Sequence, residues 1–154
     1  MKLERKDQKP IKTSLVQTLF RLLLGAFLVM AGTSHLTWAR VEFLAQVPNW
    51  LPVDGDLVVV LSGMVEIALG AGLLFLRRQR VLVGLAVAAF FVLIFPGNIS
   101  QFVNQIDAFG LNSDQARFNR LFFQPVLILW ALWSTGALQA LRLGWKQKEF
   151  SWLA

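Results

Sequence analysis

The sequence of 154 residues contains no cysteine and a single histidine. Without thiols the chain can carry no disulfide, no thiol redox centre, no thiolate metal site and no iron–sulfur cluster of its own. One histidine likewise excludes a multi-histidine haem or zinc site within one copy, so no metal set is expected. Charged residues are scarce, 16% against 56% hydrophobic, and the apolar residues fall in long blocks instead of alternating with polar ones. That distribution belongs to a polytopic membrane protein and not to a soluble domain. The net charge of +6 does not point to nucleic acid, because the basic residues sit beside the apolar blocks, where the membrane explains them better.

Four spans are expected in one domain covering residues 1–154: 14–35, 57–76, 81–98 and about 121–141. Each comes close to the roughly 20 residues that cross about 30 Å of hydrocarbon at 1.5 Å per helical residue. The fold class is therefore all-α, an integral membrane four-helix bundle in contact with the lipid bilayer. The second and third spans are joined only by Arg77-Arg78-Gln79-Arg80, a tight hairpin between antiparallel helices. These arginines fall on the same side as Lys2, Arg5, Lys6, Lys9 and Lys12 of the N-terminal segment and Arg142, Lys146 and Lys148 of the C-terminal tail. The opposite loops mix Arg40, Arg117 and Arg120 with Glu42, Asp54, Asp56, Asp107 and Asp114. The positive-inside rule then puts both termini in the cytoplasm of a cell whose membrane is expected to be the bacterial inner membrane. Trp38 and Trp50 fit the outer interface, and Trp145 and Trp152 the inner one. Gly84 with Ala88, and Ser62 with Gly70, suit a close helix seam. The first span also has the layout of a secretory signal, with a basic start, an apolar stretch from Leu22 to Met30 and then Ala31-Gly32-Thr33-Ser34. Arg21, inside the span of 14–35, interrupts its apolar run and favours a helix that stays.

Glu66 is the one ionisable side chain in the second span and lies near its middle. A charge at that depth costs about 2.5–3.5 kcal/mol even on the lenient insertion scale, so it needs a partner, a proton or a purpose. Arg21 is about seven residues inside the first span and Glu66 about ten inside the second, counted from the same face of the membrane. Those depths predict a buried Arg21–Glu66 pair, each group offsetting the other's desolvation. The simplest role for such a pair is to fix which helix faces which; binding a polar head group or relaying a proton is the functional alternative.

A second set of polar residues gathers at the outer helix ends. His35 closes the first span, Pro96-Gly97-Asn98 ends the third, Gln101 follows, and Arg120 and Gln124 stand one turn apart at the start of the fourth. Pro96 and Gly97 are expected to break the third helix, freeing carbonyls that are tolerated at membrane depth mainly around a cavity. His35, Asn98, Gln101, Arg120 and Gln124 are thus the candidates for ligand binding or proton exchange. Against this, a histidine at a helix end often serves as a cap, and an interfacial arginine often meets lipid phosphate.

Arg21 with Gly25, Gly32-Thr33-Ser34-His35, Val47-Pro48-Asn49-Trp50-Leu51-Pro52, Gly63 with Glu66, Phe95-Pro96-Gly97-Asn98-Ile99, and Arg120, Gln124 and Trp130 together resemble the DoxX-like family of small four-helix membrane proteins. The resemblance covers roughly residues 20 to 135 and rests on order and spacing. It departs at Gly97, where relatives commonly have alanine, and at Leu36, where phenylalanine is frequent. Some relatives are named as membrane subunits of quinone-reducing oxidoreductases, including thiosulfate:quinone oxidoreductase. The resemblance therefore implies a bundle that binds a small amphipathic molecule, with quinone as the candidate cofactor and a membrane or peripheral oxidoreductase subunit as the candidate partner. Two other readings stay open: a non-enzymatic assembly subunit of a larger membrane complex, and a small-solute permease. Intramembrane charges favour the permease, and the lack of an inverted repeat counts against it unless the chain oligomerises.

Overall fold

The computed structural model describes residues 11–147, with side chains up to residue 144. The charges expected from Lys2, Arg5, Lys6, Lys9, Lys146 and Lys148, and the tryptophan belt residues Trp145 and Trp152, lie outside the described side chains. Six helices follow one another: α1 (Leu15–Leu36), α2 (Arg40–Leu44), α3 (Gly55–Phe75), α4 (Arg80–Val103), α5 (Asp114–Thr135) and α6 (Ala137–Gln147). Three of them, α1, α3 and α4, are long and apolar enough to cross a membrane, and α5 with α6 makes a fourth if that bent pair counts as one span. The chain is therefore an all-α, multi-pass membrane protein.

Three helix starts, those of α1, α3 and α5, are written locally by side-chain caps. Ser14 caps α1 by accepting from the Gln17 N–H, and the Gln17 side chain returns the bond to the Ser14 N–H, a reciprocal capping box. Asp54 accepts from Leu57 N–H at 2.9 Å at the head of α3, and Ser113 from Ala116 N–H at 3.2 Å at the head of α5. At the far end of α5, Gly136 has φ +81°, a left-handed cap that turns α6 away by 80°. The fourth span therefore does not run straight to Leu141: α5 starts at Asp114 and stops at Thr135, and α6 leaves it sideways.

The packing of α1 on α3 rests on glycines spaced seven apart on both helices, Gly25 and Gly32 against Gly70 and Gly63. A Cβ on Gly32 would stand 2.5 Å from the Gly63 carbonyl oxygen, and one on Gly70 would stand 2.7 Å from that of Gly25. Small residues matter here because lipid supplies no hydrophobic drive between helices, so close van der Waals approach has to hold them. The second seam, α4 on α5, brings Thr135 directly onto the bare Cα of Gly84. Between the seams sits an apolar core of Leu24, Leu28, Leu73, Val87, Phe91, Leu127 and Ala131. Outward, Leu23, Met30, Leu61, Met64, Leu93, Phe122 and Leu129 are exposed, an apolar belt far too extensive for a water-facing surface.

The glycine register overturns the expected Arg21–Glu66 pair. With Gly32 facing Gly63 and Gly25 facing Gly70, Glu66 lies level with Val29 and Arg21 level with Leu74. Eight residues separate those levels, or ~12 Å along the axis. Counting depth from the helix ends failed because the first turns of α1 project beyond the end of α3. The expected break at Pro96 is also absent, since α4 runs continuously from Arg80 to Val103. Proline removes a single hydrogen bond, to the Val92 carbonyl, and the neighbouring Phe91 carbonyl is engaged from another helix by Gln124.

Candidate functional site

At the end of the bundle away from the arginine hairpin, polar side chains from α1, α3, α4 and α5 turn inward. His35 and Glu66 are 6% and 5% exposed, and Nε2 of the imidazole stands 3.4 Å from Oε2 of the carboxyl group. They meet because Gly63, one turn before Glu66, lets the His35 Cβ approach: a Cβ on Gly63 would lie 2.7 Å from it. On its other side the imidazole Nδ1 faces the Val59 carbonyl at 3.3 Å and the Ser62 hydroxyl at 3.0 Å. Ser62 donates its own proton to Val59 O at 2.9 Å. Both neighbours of Nδ1 therefore act as acceptors, which assigns the imidazole proton to Nδ1 and leaves a lone pair on Nε2 pointing at Glu66.

Neither His35 Nε2 nor Glu66 Oε2 has a hydrogen-bond partner, and both atoms are buried. Two acceptors facing each other are satisfied only by a shared proton or by a donor from elsewhere. Arg120 is a candidate donor, since its Nε is buried without a partner. Its guanidinium carbon stands 5.9 Å from the centre of the Phe109 ring. Three buried polar atoms, two acceptors and one donor, thus lack partners, and the series of contacts Arg120–Phe109–Phe43–His35 links the arginine to the imidazole.

Asn98, Gln101 and Gln124 form an adjacent network. Asn98 Nδ2 donates to Gln124 Oε1 at 3.0 Å, Gln124 Nε2 donates to the Phe91 carbonyl at 2.7 Å, and Gln101 Oε1 accepts from Gln46 Nε2 at 2.8 Å. Gln46 approaches because Gly97 offers no Cβ; one added there would lie 2.9 Å from the Gln46 carbonyl oxygen. These three residues are satisfied by protein partners and so hold the wall of the site in place, whereas His35, Glu66 and Arg120 retain bonding capacity. Arg21, placed beside Glu66 by sequence depth, is at the other end of the molecule, some fourteen residues from His35 along α1.

Two aromatic rings cover the site. Phe43 of α2 lies over the imidazole, with ring centroids 3.4 Å apart and planes at 35°, and Phe109 meets Phe43 edge-on at 4.7 Å. Phe109 adopts φ +56°, a left-handed conformation that is costly for a bulky side chain and needs external support. Glu42 supplies it by accepting from the Phe109 N–H. Arg117, bonded to Asp107 at 2.6 Å and Asp114 at 2.8 Å, ties the same loop down. At the rim, Arg40 forms a two-pronged pair with Asp56, whose hydrogen bonds raise the arginine above its usual pKa.

Sequence reasoning missed Phe43, Phe109 and Gln46 and read Ser62 only as a seam residue. Ser62 was detectable, being one helical turn from Glu66 on the same face. The other three lie on α2 or in loops, where no periodicity reports which way a side chain faces.

No curated protein and no solved structure matches this chain. A family described as "Domain of unknown function (DUF8561)" matches residues 24–135, which takes in every member of the site just described and reaches from Leu24 of α1 to the end of α5. With most of its length inside that match, the chain belongs to the family of that domain of unknown function.

Proposed function

We propose that this membrane protein binds the polar head of a small amphipathic molecule between His35, Glu66 and Arg120, and that the head is of the quinone or quinol kind. The observation that carries the reading is the trio of buried, unpartnered atoms, His35 Nε2, Glu66 Oε2 and Arg120 Nε. A quinol hydroxyl donates to either acceptor, and a quinone carbonyl accepts from the arginine. A head group of this type answers all three, while its tail remains among apolar helices. The His35–Glu66 contact also gives a proton somewhere to go when the head changes oxidation state.

The resemblance to DoxX-like proteins supports the same reading and adds a setting, a membrane oxidoreductase system. In that setting the electrons arrive from a partner subunit, because a chain without cysteine offers no thiol or iron–sulfur relay. The hairpin arginines Arg77, Arg78 and Arg80 support an orientation with both termini in the cytoplasm and the site toward the outer face.

The test is calorimetric titration of a short-chain benzoquinone into the full chain in neutral detergent. Saturable binding at one site per chain is expected. An Arg40→Ala variant is expected to bind equally well, since that side chain belongs to the solvent-exposed rim. Absence of heat and of tryptophan quenching at millimolar quinone would defeat the reading.

A further inference from the structure

The opposite end of the bundle holds a different set of unpaired groups. Arg21 is 4% exposed, and its Nη1 is buried without a hydrogen-bond partner. The glycine register sets Arg21 level with Leu74, and Val83 packed on Gly72 sets Arg80 level with Phe75, so two like charges share one depth beside the hairpin that carries Arg77. Arg80 is fixed by its own bonds, Nη2 donating to the Ile11 carbonyl and Nη1 donating to the Arg77 carbonyl at 3.3 Å, and this leaves its Nε buried and unpartnered. Ser134, fully buried near the end of α5, also has a hydroxyl with no partner.

Guanidinium groups gathered at one end of a bundle repel one another unless an anion lies among them. The described residues offer none. Glu66 is at mid-helix, and Glu42, Asp54, Asp56, Asp107 and Asp114 all belong to the opposite end of the bundle. Arginine donors arranged as a fork suit phosphate oxygens, which accept several charge-assisted bonds at once.

We propose that Arg21, Arg77 and Arg80 form a binding site for a phosphate-bearing anion at the hairpin end of the bundle. Arg80 and Arg77 present it at the rim, and Arg21 closes it from within. The position, at the helix ends where lipid head groups begin, is open both to an anionic lipid and to free phosphate. The site is ~21 Å along α1 from His35, so it stands independently of the quinone reading.

The experiment follows the thermal midpoint of the full chain in neutral detergent by tryptophan fluorescence, with dioleoylphosphatidylglycerol, dioleoylphosphatidylcholine or inorganic phosphate added. A ligand that binds only the folded state raises the midpoint, here by about 3 °C or more at saturation. Phosphatidylglycerol alone doing so identifies a lipid head group; inorganic phosphate doing so equally identifies a small soluble anion. The shift is expected to vanish in Arg21→Gln and in the Arg77→Gln/Arg80→Gln double variant, and to persist in Arg78→Gln. Should Arg21→Gln fail to fold, the double variant at the rim gives the answer. No shift with either phosphatidylglycerol or phosphate, or the same shift in the double variant, overturns the proposal.

Discussion

Replacing Gly63 with leucine is expected to cost at least about 3 kcal/mol and to remove most of the properly folded protein, at the upper end of what overpacking does in a core. The first added carbon already stands 2.7 Å from the His35 Cβ and 2.9 Å from the Gly32 carbonyl oxygen. Backbone and a Cβ cannot swing aside as a side-chain terminus can, so α1 and α3 must separate to admit it. Separation removes the close packing that holds these helices in lipid, and it withdraws His35 from Glu66 at the same stroke. Gly55→Ala provides the contrast: it adds a methyl where the nearest atoms are 3.6 Å away. Size-exclusion elution and thermal midpoint of the detergent-extracted chain read both variants. Gly63→Leu eluting and melting like the parent would contradict the seam.

Glu66→Gln and His35→Ala are expected to weaken benzoquinone binding by about tenfold to a hundredfold. A hydrogen bond to a charged group contributes about 1.5–3 kcal/mol, and each 1.4 kcal/mol is a factor of ten. Glutamine keeps the shape of Glu66 and loses its ability to exchange a proton, so its thermal midpoint should hardly move while affinity falls. Alanine at position 35 removes the Nε2 acceptor together with the contacts to Val59, Ser62 and Phe43, and both affinity and stability should fall. The pair of measurements separates a binding role from a packing role. If both variants bind within twofold of the parent, neither side chain touches the head group.

The contrast between these two sets of residues explains how far the sequence could be read. Hydropathy located α1, α3 and α4 because a helix in lipid must be apolar along its length. It missed the bend at Gly136, although a glycine after Ser134-Thr135 was a visible stop signal, because the apolar residues continue past it. It placed Glu66 against Arg21 because depth was counted from helix ends, which say nothing about how far one helix slides along another. Gly25, Gly32, Gly63 and Gly70 encode that slide, and their shared spacing of seven was legible in principle. His35, Arg120, Asn98, Gln101 and Gln124 were named from their places at helix ends, but the division between them was not. Asn98 and Gln124 satisfy one another, and Gln101 is satisfied by Gln46, a loop residue whose reach no sequence pattern reports. Phe43 and Phe109 cover the imidazole for the same unreadable reason.

The central claim is that the unpartnered atoms of His35, Glu66 and Arg120 are answered by a bound head group. Native mass spectrometry of the full chain released directly from membranes tests it most directly. The account predicts one amphipathic molecule per chain carrying a carbonyl or hydroxyl head of the quinone class, retained in Arg40→Ala and lost in Glu66→Gln. A parent chain that is released with nothing but scattered lipid, or a Glu66→Gln variant that carries the same molecule at the same occupancy, would contradict it.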